Sequence, residues 1–250
     1  EAKIDYMLHQ GTKEFDSLEG LNFNIKTKTK DVECHTNLIM PFNALNITLA
    51  YAILDSLGEM EDSKFNQLLE EIKIPGRDEV IRYNGRTIII TITCTPHLEI
   101  IKRYKEKGKV KNIRLVTGSF GKGFNSWLEE YKEEKFTKYV EESMRWAYSY
   151  FVKNVDQIYI TTNDNAYSNI TELLGKQKKE VEGKTTYFLI EDRKEAIKKA
   201  IEDSERNDVI IISGRGNRSI FCKDRRNVEI YLDRSIVEEI IKKKEEDNAN

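Results

Sequence analysis

The chain reads as an α/β protein whose larger part is a doubly wound, mostly parallel sheet. Two observations carry that expectation. After residue 86, short β-branched runs alternate with amphipathic helical segments, the order expected of strand–helix–strand units. The first such run, Thr87–Ile92, is apolar without alternation, which suits a parallel strand covered on both faces. In a sheet of this kind a ligand sits beyond the carboxyl ends of the strands.

The elements follow in order. Residues 1–40 read as short strands. Asn22 to Lys28 alternates polar and apolar, as a half-buried strand does, and Leu38-Ile39-Met40-Pro41 closes the region. From Asn43 the period becomes helical: Leu45, Leu49, Ala52 and Ile53 share one face, Leu57 sits at its edge, and Gly58 stands at the C-cap. Asn43 and Asn46 flank the helix start, so Asn43 is accounted for as a cap. A shorter helix runs near Lys64–Ile72. Pro75-Gly76-Arg77 marks a break. The main boundary falls there, giving domains of 1–74 and 75–250.

Beyond the break, Pro96 opens a helix to about Lys107, at a first-turn position where its missing N–H costs nothing. Strand Ile113–Thr117 follows, then a long helix over Thr137–Val152 with Val140, Met144, Ala147 and Phe151 inward. Strand Gln157–Thr161, a short helix Ile170–Gly175 and strand Thr186–Ile190 come next. Helix Asp192–Ser204, strand Val209–Ser213, strand Val228–Leu232 and helix Arg234–Lys244 complete the pattern.

Composition narrows the function classes. Hydrophobic residues are 39% and charged residues 34% of 250, an ordinary globular balance and too apolar for disorder. The net charge is −2, so no basic excess points to nucleic acid or an anionic membrane. The runs Lys105–Lys109 and Lys242–Glu246 are read as solvated faces. No stretch approaches the roughly 18 apolar residues of a membrane span, and no signal peptide is evident. Cys34, Cys94 and Cys222 are scattered, as are His9, His35 and His97. This argues for reduced thiols in a cytoplasmic protein and against a metal cage of side chains. The chain opens with Glu1 rather than Met, which raises the expectation of an upstream part.

The predicted strand ends nominate the candidate site. Gly118-Ser119-Phe120-Gly121-Lys122-Gly123 could offer backbone N–H groups to an anion, although a plain tight turn also explains it. The phosphate-binding pattern Gly-x-x-x-x-Gly-Lys-Ser/Thr occurs nowhere in the chain. Gly214-Arg215-Gly216-Asn217-Arg218 adds two arginines suited to carboxylate or phosphate. Asn163-Asp164-Asn165 is either an Asx turn or part of a polar ligand edge. Asp192 reads as an N-cap with Arg193 exposed, and Arg77 as a turn charge. Cys94 stands at a strand end without a histidine to activate it.

Taken in order, these fragments resemble the Mur ligase family. Phe42-Asn43-Ala44-Leu45-Asn46 resembles the segment that joins the ATPase domain to the C-terminal domain. Pro75-Gly76-Arg77-Asp78-Glu79 resembles the Pro-Gly-Arg-x-Glu hinge. Thr162 to Asn165 stands at the family's Asp-Asn-Pro-Arg. Ile190 to Ile197 is similar to Asp-Arg-x-x-Ala-Ile, Gly214-Arg215-Gly216 to Gly-Lys-Gly-x-Glu, and Tyr231-Leu232-Asp233-Arg234 to the Phe-x-Asp-Arg ending. The resemblance spans about residues 38–240 and is nearest the branch that adds the third residue to UDP-N-acetylmuramoyl-dipeptide.

The resemblance implies a three-domain, ATP-dependent amide ligase of peptidoglycan precursor synthesis. Residues 1–74 would be the tail of the P-loop ATPase domain and the hinge, and 75–250 the Rossmann-like C-terminal domain. ATP and magnesium would bind mainly through upstream ATPase and UDP-binding domains; this chain alone would be inactive. UDP-MurNAc-peptide and an amino acid would be the substrates. By carry-over, Asn43, Asn46 and Arg77 would approach the nucleotide, and Asp164, Asn165, Gly214 and Arg218 would line the amino-acid pocket. No catalytic residue is assigned.

The departures bear on the substrate. The family's Asp and His become Thr91 and Cys94, its Pro-Arg becomes Ala166-Tyr167, and the acid of its glycine loop becomes Arg218. A cation there would repel a cationic side chain, so the expected amino acid is neither diaminopimelate nor lysine but an acidic or small one. The stretch Phe124–Phe136 reads as a local insertion. The alternative reading is a non-catalytic relative acting as a binding or scaffold protein.

Overall fold

The computed structural model describes residues 7–10, 16–58, 61–121, 133–165, 168–223 and 226–249. The chain divides into two compact units, Glu1–Ile74 and Pro75–Asn250.

In the first unit, strands β1 (Met7–Gln10), β2 (Asp16–Ser17), β3 (Gly20–Lys26) and β4 (Asp31–Thr36) form an antiparallel sheet centred on β3. The alternation read in the sequence places Leu21, Phe23 and Ile25 on the buried face of β3, opposite Val32 and Cys34 of β4. Helices α1 (Pro41–Ser56) and α2 (Asp62–Glu71) join that core. Tyr51 of α1 meets Phe65 of α2 edge to face at 5.2 Å between ring centres, and its hydroxyl donates to Asp62 Oδ1 at 2.9 Å.

One expectation fails on α1, and the shared apolar face proves to be the open one. Asn43 is not a cap: Met40 holds that position with Pro41 in the first turn, and Asn43 lies buried two residues further in. The buried face is Asn43, Ala44, Ile47, Thr48 and Tyr51, whereas Leu45 and Leu49 are 59% and 63% exposed and Ile53 and Leu57 lie on the same open face. The helix is apolar on both sides, so its period could not say which side the sheet would cover.

The second unit is a six-stranded sheet of order β5-β6-β10-β7-β8-β9. Its strands are β5 (Glu79–Tyr83), β6 (Arg86–Thr91), β7 (Ile113–Thr117), β8 (Gln157–Ile160), β9 (Thr186–Leu189) and β10 (Val209–Ser213). All neighbours are parallel except β5, which pairs antiparallel with β6. The β5–β6 hairpin has a plain local signal: Asn84 (φ 46°) and Gly85 (φ 75°) form the two-residue turn whose twist matches paired strands. The inner strands β6, β7 and β10 are almost wholly buried, as their continuous apolar runs require.

Helices α3 (Thr95–Glu106), α4 (Glu133–Asn154) and α5 (Ile170–Val181) pack as one layer, and α6 (Arg193–Glu202) packs with α7 (Asp233–Ala249) as another. Helix α5 runs well past Gly175; nothing lies near that glycine, which the helix simply carries on its surface. Val140 and residues 124–136 lie outside the residues whose side chains are described. The segment read as strand Val228–Leu232 does not join the sheet. It forms β12 (Val228–Ile230), paired antiparallel with β11 (Ile220–Cys222) in a separate hairpin. Its three residues are too few and too exposed for a sheet interior.

Candidate functional site at the strand ends

The carboxyl ends of β6, β10 and β7 converge on a crevice. Strand β10 enters between β6 and β7; the chain leaves β7 for α4 and leaves β10 for α7, in the opposite layer. Neighbouring strands with connections on opposite sides open a ligand crevice between them. A cavity of about 640 Å³ lies there, lined by Cys94, Thr95, Gly118, Phe120, Tyr148 and Gly214 among others.

The glycine-rich loops are glycine-rich because backbones touch. A Cβ on Gly121 would overlap the Asn165 carbonyl, and one on Gly76, at φ +63°, would overlap the Asn217 nitrogen. The Pro-Gly-Arg turn therefore rests on the Gly214–Arg218 loop. Glu79 ties it down by accepting from Gly76 N at 3.0 Å and pairing with Arg234. The anion-cradle reading of Gly118–Gly121 loses two of its donors to the fold: Ser119 N donates to Gln177 Oε1 at 3.0 Å and Gly121 N to Asp164 O at 2.8 Å. Lys122 and Gly123 lie outside the described residues.

Arg215 is wholly buried, and the carboxylate it suits is the chain's own. Its Nη1 donates to Asp164 Oδ1 at 2.7 Å, its Nη2 to Ile220 O at 2.8 Å, and its guanidinium lies 4.6 Å from the Phe221 ring centre. Asp164 also accepts from Cys222 N at 3.1 Å. Asp164 thus holds the β11–β12 hairpin against the end of β8. Asn165 beside it is 1% exposed, and neither atom of its amide has a hydrogen-bond partner among the described residues. Arg218 lies 4.9 Å from the Phe120 ring centre at the crevice. Burial pulls its guanidinium below the usual arginine range, with Asp164 opposing that shift and Arg215 adding to it.

Arg193 is the largest correction. Expected on the surface, it is 2% exposed. Its Nε and Nη2 donate to the two Asp233 oxygens at 2.8 and 2.9 Å, and Nη2 also donates to Ser213 O at 3.0 Å. It joins the start of α6, the end of β10 and the start of α7. The Asp192-Arg193 fragment and the Tyr231-Leu232-Asp233-Arg234 fragment therefore supply the two halves of one buried ion pair. Asp192 does cap α6, accepting from Lys194 N and Glu195 N.

The pair Thr91 and Cys94 divides its roles. Thr91 Oγ1 lies 3.1 Å from Asp78 Oδ1, and His97 Nε2 lies 2.8 Å from the same oxygen, all three residues buried. Sequence spacing held no hint of this cluster, because its members come from the hinge, a strand end and a helix. Burial pushes the Cys94 thiol up to about 11, with a hydrogen bond to Ser213 opposing, so it is no nucleophile near neutrality.

Of the nominated residues, Asp164, Asn165, Gly214 and Arg218 come together at one end of the sheet. Arg77 is exposed on the turn that rests against the Gly214–Arg218 loop, and Asn43 and Asn46 lie on α1 of the other unit, one buried and one exposed. Tyr167 falls outside the described residues.

No family model matches the chain. It is, however, 26% identical over 229 residues to the UDP-N-acetylmuramoyl-L-alanyl-D-glutamate–2,6-diaminopimelate ligase of Halalkalibacterium halodurans, covering 90% of this chain and 43% of that one. The enzyme of the same name from Aquifex aeolicus is 28% identical over 227 residues, covering 89% of this chain and 42% of that one. These relatives are Mur ligases, and the likeness to them supports assignment of this chain to that family. This chain spans about half the length of the curated relatives it matches, between 42% and 50% for three of them.

Solved structures of Mur ligases share the fold. A ligase of that same diaminopimelate-adding name superposes with a TM-score of 0.61 at 18% identity, covering 98% of this chain and 47% of that one. A MurF ligase from Thermotoga maritima, solved in complex with ADP, gives 0.54 at 14% identity, covering 84% and 42%. A folylpolyglutamate synthase from Thermotoga maritima gives 0.59 at 18%, covering 84% and 44%. Among the described residues no helix is long and apolar enough to cross a membrane.

Proposed function

We propose that this chain is the C-terminal portion of an ATP-dependent amide ligase that adds an amino acid to a UDP-MurNAc-peptide. The observation that carries the reading is the likeness to diaminopimelate-adding ligases over about nine-tenths of the chain. In this role residues 1–74 close the ATPase domain, and residues 75–250 present the incoming amine. The chain's contribution is positioning: bringing amine and activated carboxyl together removes an entropic barrier otherwise met in solution.

Asn43, with a buried donor lacking a partner among the described residues, suits an acceptor on the nucleotide, and Asn46 lies on the same helix; Arg77, exposed in the second unit, is proposed as a nucleotide contact from the family resemblance alone. Among the described residues no cluster of three or more His, Cys, Asp or Glu could hold a metal ion. In this reading magnesium is carried by the nucleotide phosphates and the upstream ATPase domain. Asp164, Asn165, Gly214 and Arg218 line the amino-acid site. With Asp164 already committed to Arg215 and a cation at Arg218, that site disfavours a cationic side chain.

The test is phosphate release by the full-length protein supplied with ATP, magnesium, UDP-N-acetylmuramoyl-dipeptide and each amino acid in turn. Turnover dependent on one amino acid supports the ligase. A folded protein silent with every amino acid points instead to a binding or scaffold role, and turnover with lysine or diaminopimelate overturns the charge argument.

A further inference from the structure

The turn that opens the second unit sets one exposed arginine among buried neighbours. Arg77 is exposed, whereas Gly76 before it and Asp78 and Glu79 after it are buried. Gly76 and Asp78 both hold left-handed backbone, at φ +63° and +61°. Glycine takes that conformation without steric cost, and aspartate is among the few other residues that tolerate it. The backbone at position 78 would therefore accept glycine more readily. What aspartate adds is a side chain, and that side chain is only 4% exposed.

Two separate elements hold that side chain. Thr91 Oγ1, at the end of β6, donates to Asp78 Oδ1 at 3.1 Å, and His97 Nε2, in the first turn of α3, lies 2.8 Å from the same oxygen. A carboxylate oxygen and a ring nitrogen this close repel unless the nitrogen carries a proton, so Nε2 is the protonated one. The contact is close but poorly directed, and Nδ1 has no hydrogen-bond partner among the described residues. Packing and the charge of Asp78 therefore hold the ring in place. On the other flank, Glu79 accepts from Gly76 N at 3.0 Å and pairs with Arg234 of α7, while Gly76 rests on the Asn217 backbone. Both neighbours of Arg77 are thus fastened to the sheet unit. Left-handed backbone at a residue other than glycine persists where the surroundings over-determine it, and such positions cluster where a contact must be pre-organised. The group between the fastenings is a planar cation suited to phosphate.

We propose that Asp78 is a positioning residue for Arg77, its carboxylate clamped by Thr91 and His97 so that the arginine meets a phosphate group on a turn that is fixed beforehand. The assignment rests on the reading of Arg77 as a nucleotide contact and adds the device that holds it. An arginine on a mobile turn gives up backbone freedom when it binds. On a clamped turn that freedom is spent in folding, and the affinity gains the difference. Asp78 itself is buried and touches no ligand, so it acts through its neighbour.

The test is the affinity of the full-length protein for ATP, measured by calorimetry with magnesium present, which needs no turnover. Asp78→Gly keeps the backbone conformation but removes the clamp, and should weaken ATP binding about tenfold. Asp78→Asn keeps an acceptor oxygen and tolerates the same backbone, so it should stay within about twofold of the parent. Arg77→Ala should weaken ATP at least as much as Asp78→Gly. Combining the two should cost nothing beyond Arg77→Ala alone, because Asp78 acts through Arg77. A merely structural aspartate would give losses that add. Hydrogen exchange at the Arg77 and Asp78 amides should quicken in Asp78→Gly while β6 and β10 stay protected, which shows a loosened turn in a folded unit. Should Asp78→Gly not fold, His97→Leu removes one arm of the clamp and carries the same expected loss. Unchanged affinity in the clamp variants, or additive losses in the double variant, overturns the proposal. A full-length protein that binds no ATP sinks the nucleotide reading of Arg77 and this assignment with it. The expected affinity pattern without turnover on any amino acid sinks the ligase reading alone, whereas turnover with affinities indifferent to Asp78 sinks this assignment and leaves the ligase standing.

Discussion

Replacing Arg193 with methionine should destabilise the Pro75–Asn250 unit by about 3–5 kcal/mol, the cost of leaving one partner of a buried ion pair alone. The structure supports the upper part of that range. The change strands Asp233, which is fully buried, and removes the donor to Ser213 O at the end of β10. Methionine keeps most of the side-chain volume, so cavity formation adds little. Unfolding in urea followed by circular dichroism measures the change, provided the transition is two-state. Against a typical domain stability of about 5–15 kcal/mol, the shift in midpoint would be large. Adding Asp233→Asn to Arg193→Met should restore part of the loss, because the stranded charge is removed. A cost below about 0.5 kcal/mol, as for an exposed arginine, would refute the buried-pair account. So would a double variant whose loss is the plain sum of the two single losses.

Other outcomes follow from the same geometry. Gly76→Ala should cost about 1–3 kcal/mol, since φ is +63° and the new Cβ would meet the Asn217 backbone; faster hydrogen exchange across Gly214–Arg218 would report the lifted turn. Cys94 and Cys34 are held as neutral thiols, up to about 11 and about 12 against an ordinary 9.0, chiefly by burial. The folded state holds those protons more tightly, so their stabilisation is whole below pH 9 and is lost as pH rises through 11 and 12. Urea midpoints should fall over that alkaline window and not between pH 6 and 8, with the Cys94 share about 2–3 kcal/mol. Leu49→Lys on the open face of α1 should change the stability of this chain by no more than about 0.5 kcal/mol, whereas Ile47→Ala, on the buried face, should cost about 2–5 kcal/mol. Equal effects at the two positions would show that the faces of α1 are assigned wrongly.

Much of the fold was legible because local rules and tertiary context agreed. The runs Thr87–Ile92, Ile113–Thr117 and Val209–Ser213 became inner strands nearly at their read bounds, since only a doubly covered parallel strand suits so unbroken an apolar stretch. Pro96 and Asp192 marked helix starts through chemistry confined to one turn. The motif order at strand ends likewise located Asp164, Asn165, Gly214 and Arg218 at one end of the sheet. What the sequence could not decide depends on partners distant along the chain. The buried side of α1 was ambiguous because both its faces are apolar, and only the β3–β4 sheet chooses between them. Arg193 looks like a surface charge until Asp233, forty positions away, meets it in a buried pair. The same holds for Asp78 with His97. Propensity and periodicity act over a few residues, whereas burial and counter-charge are properties of the assembled unit.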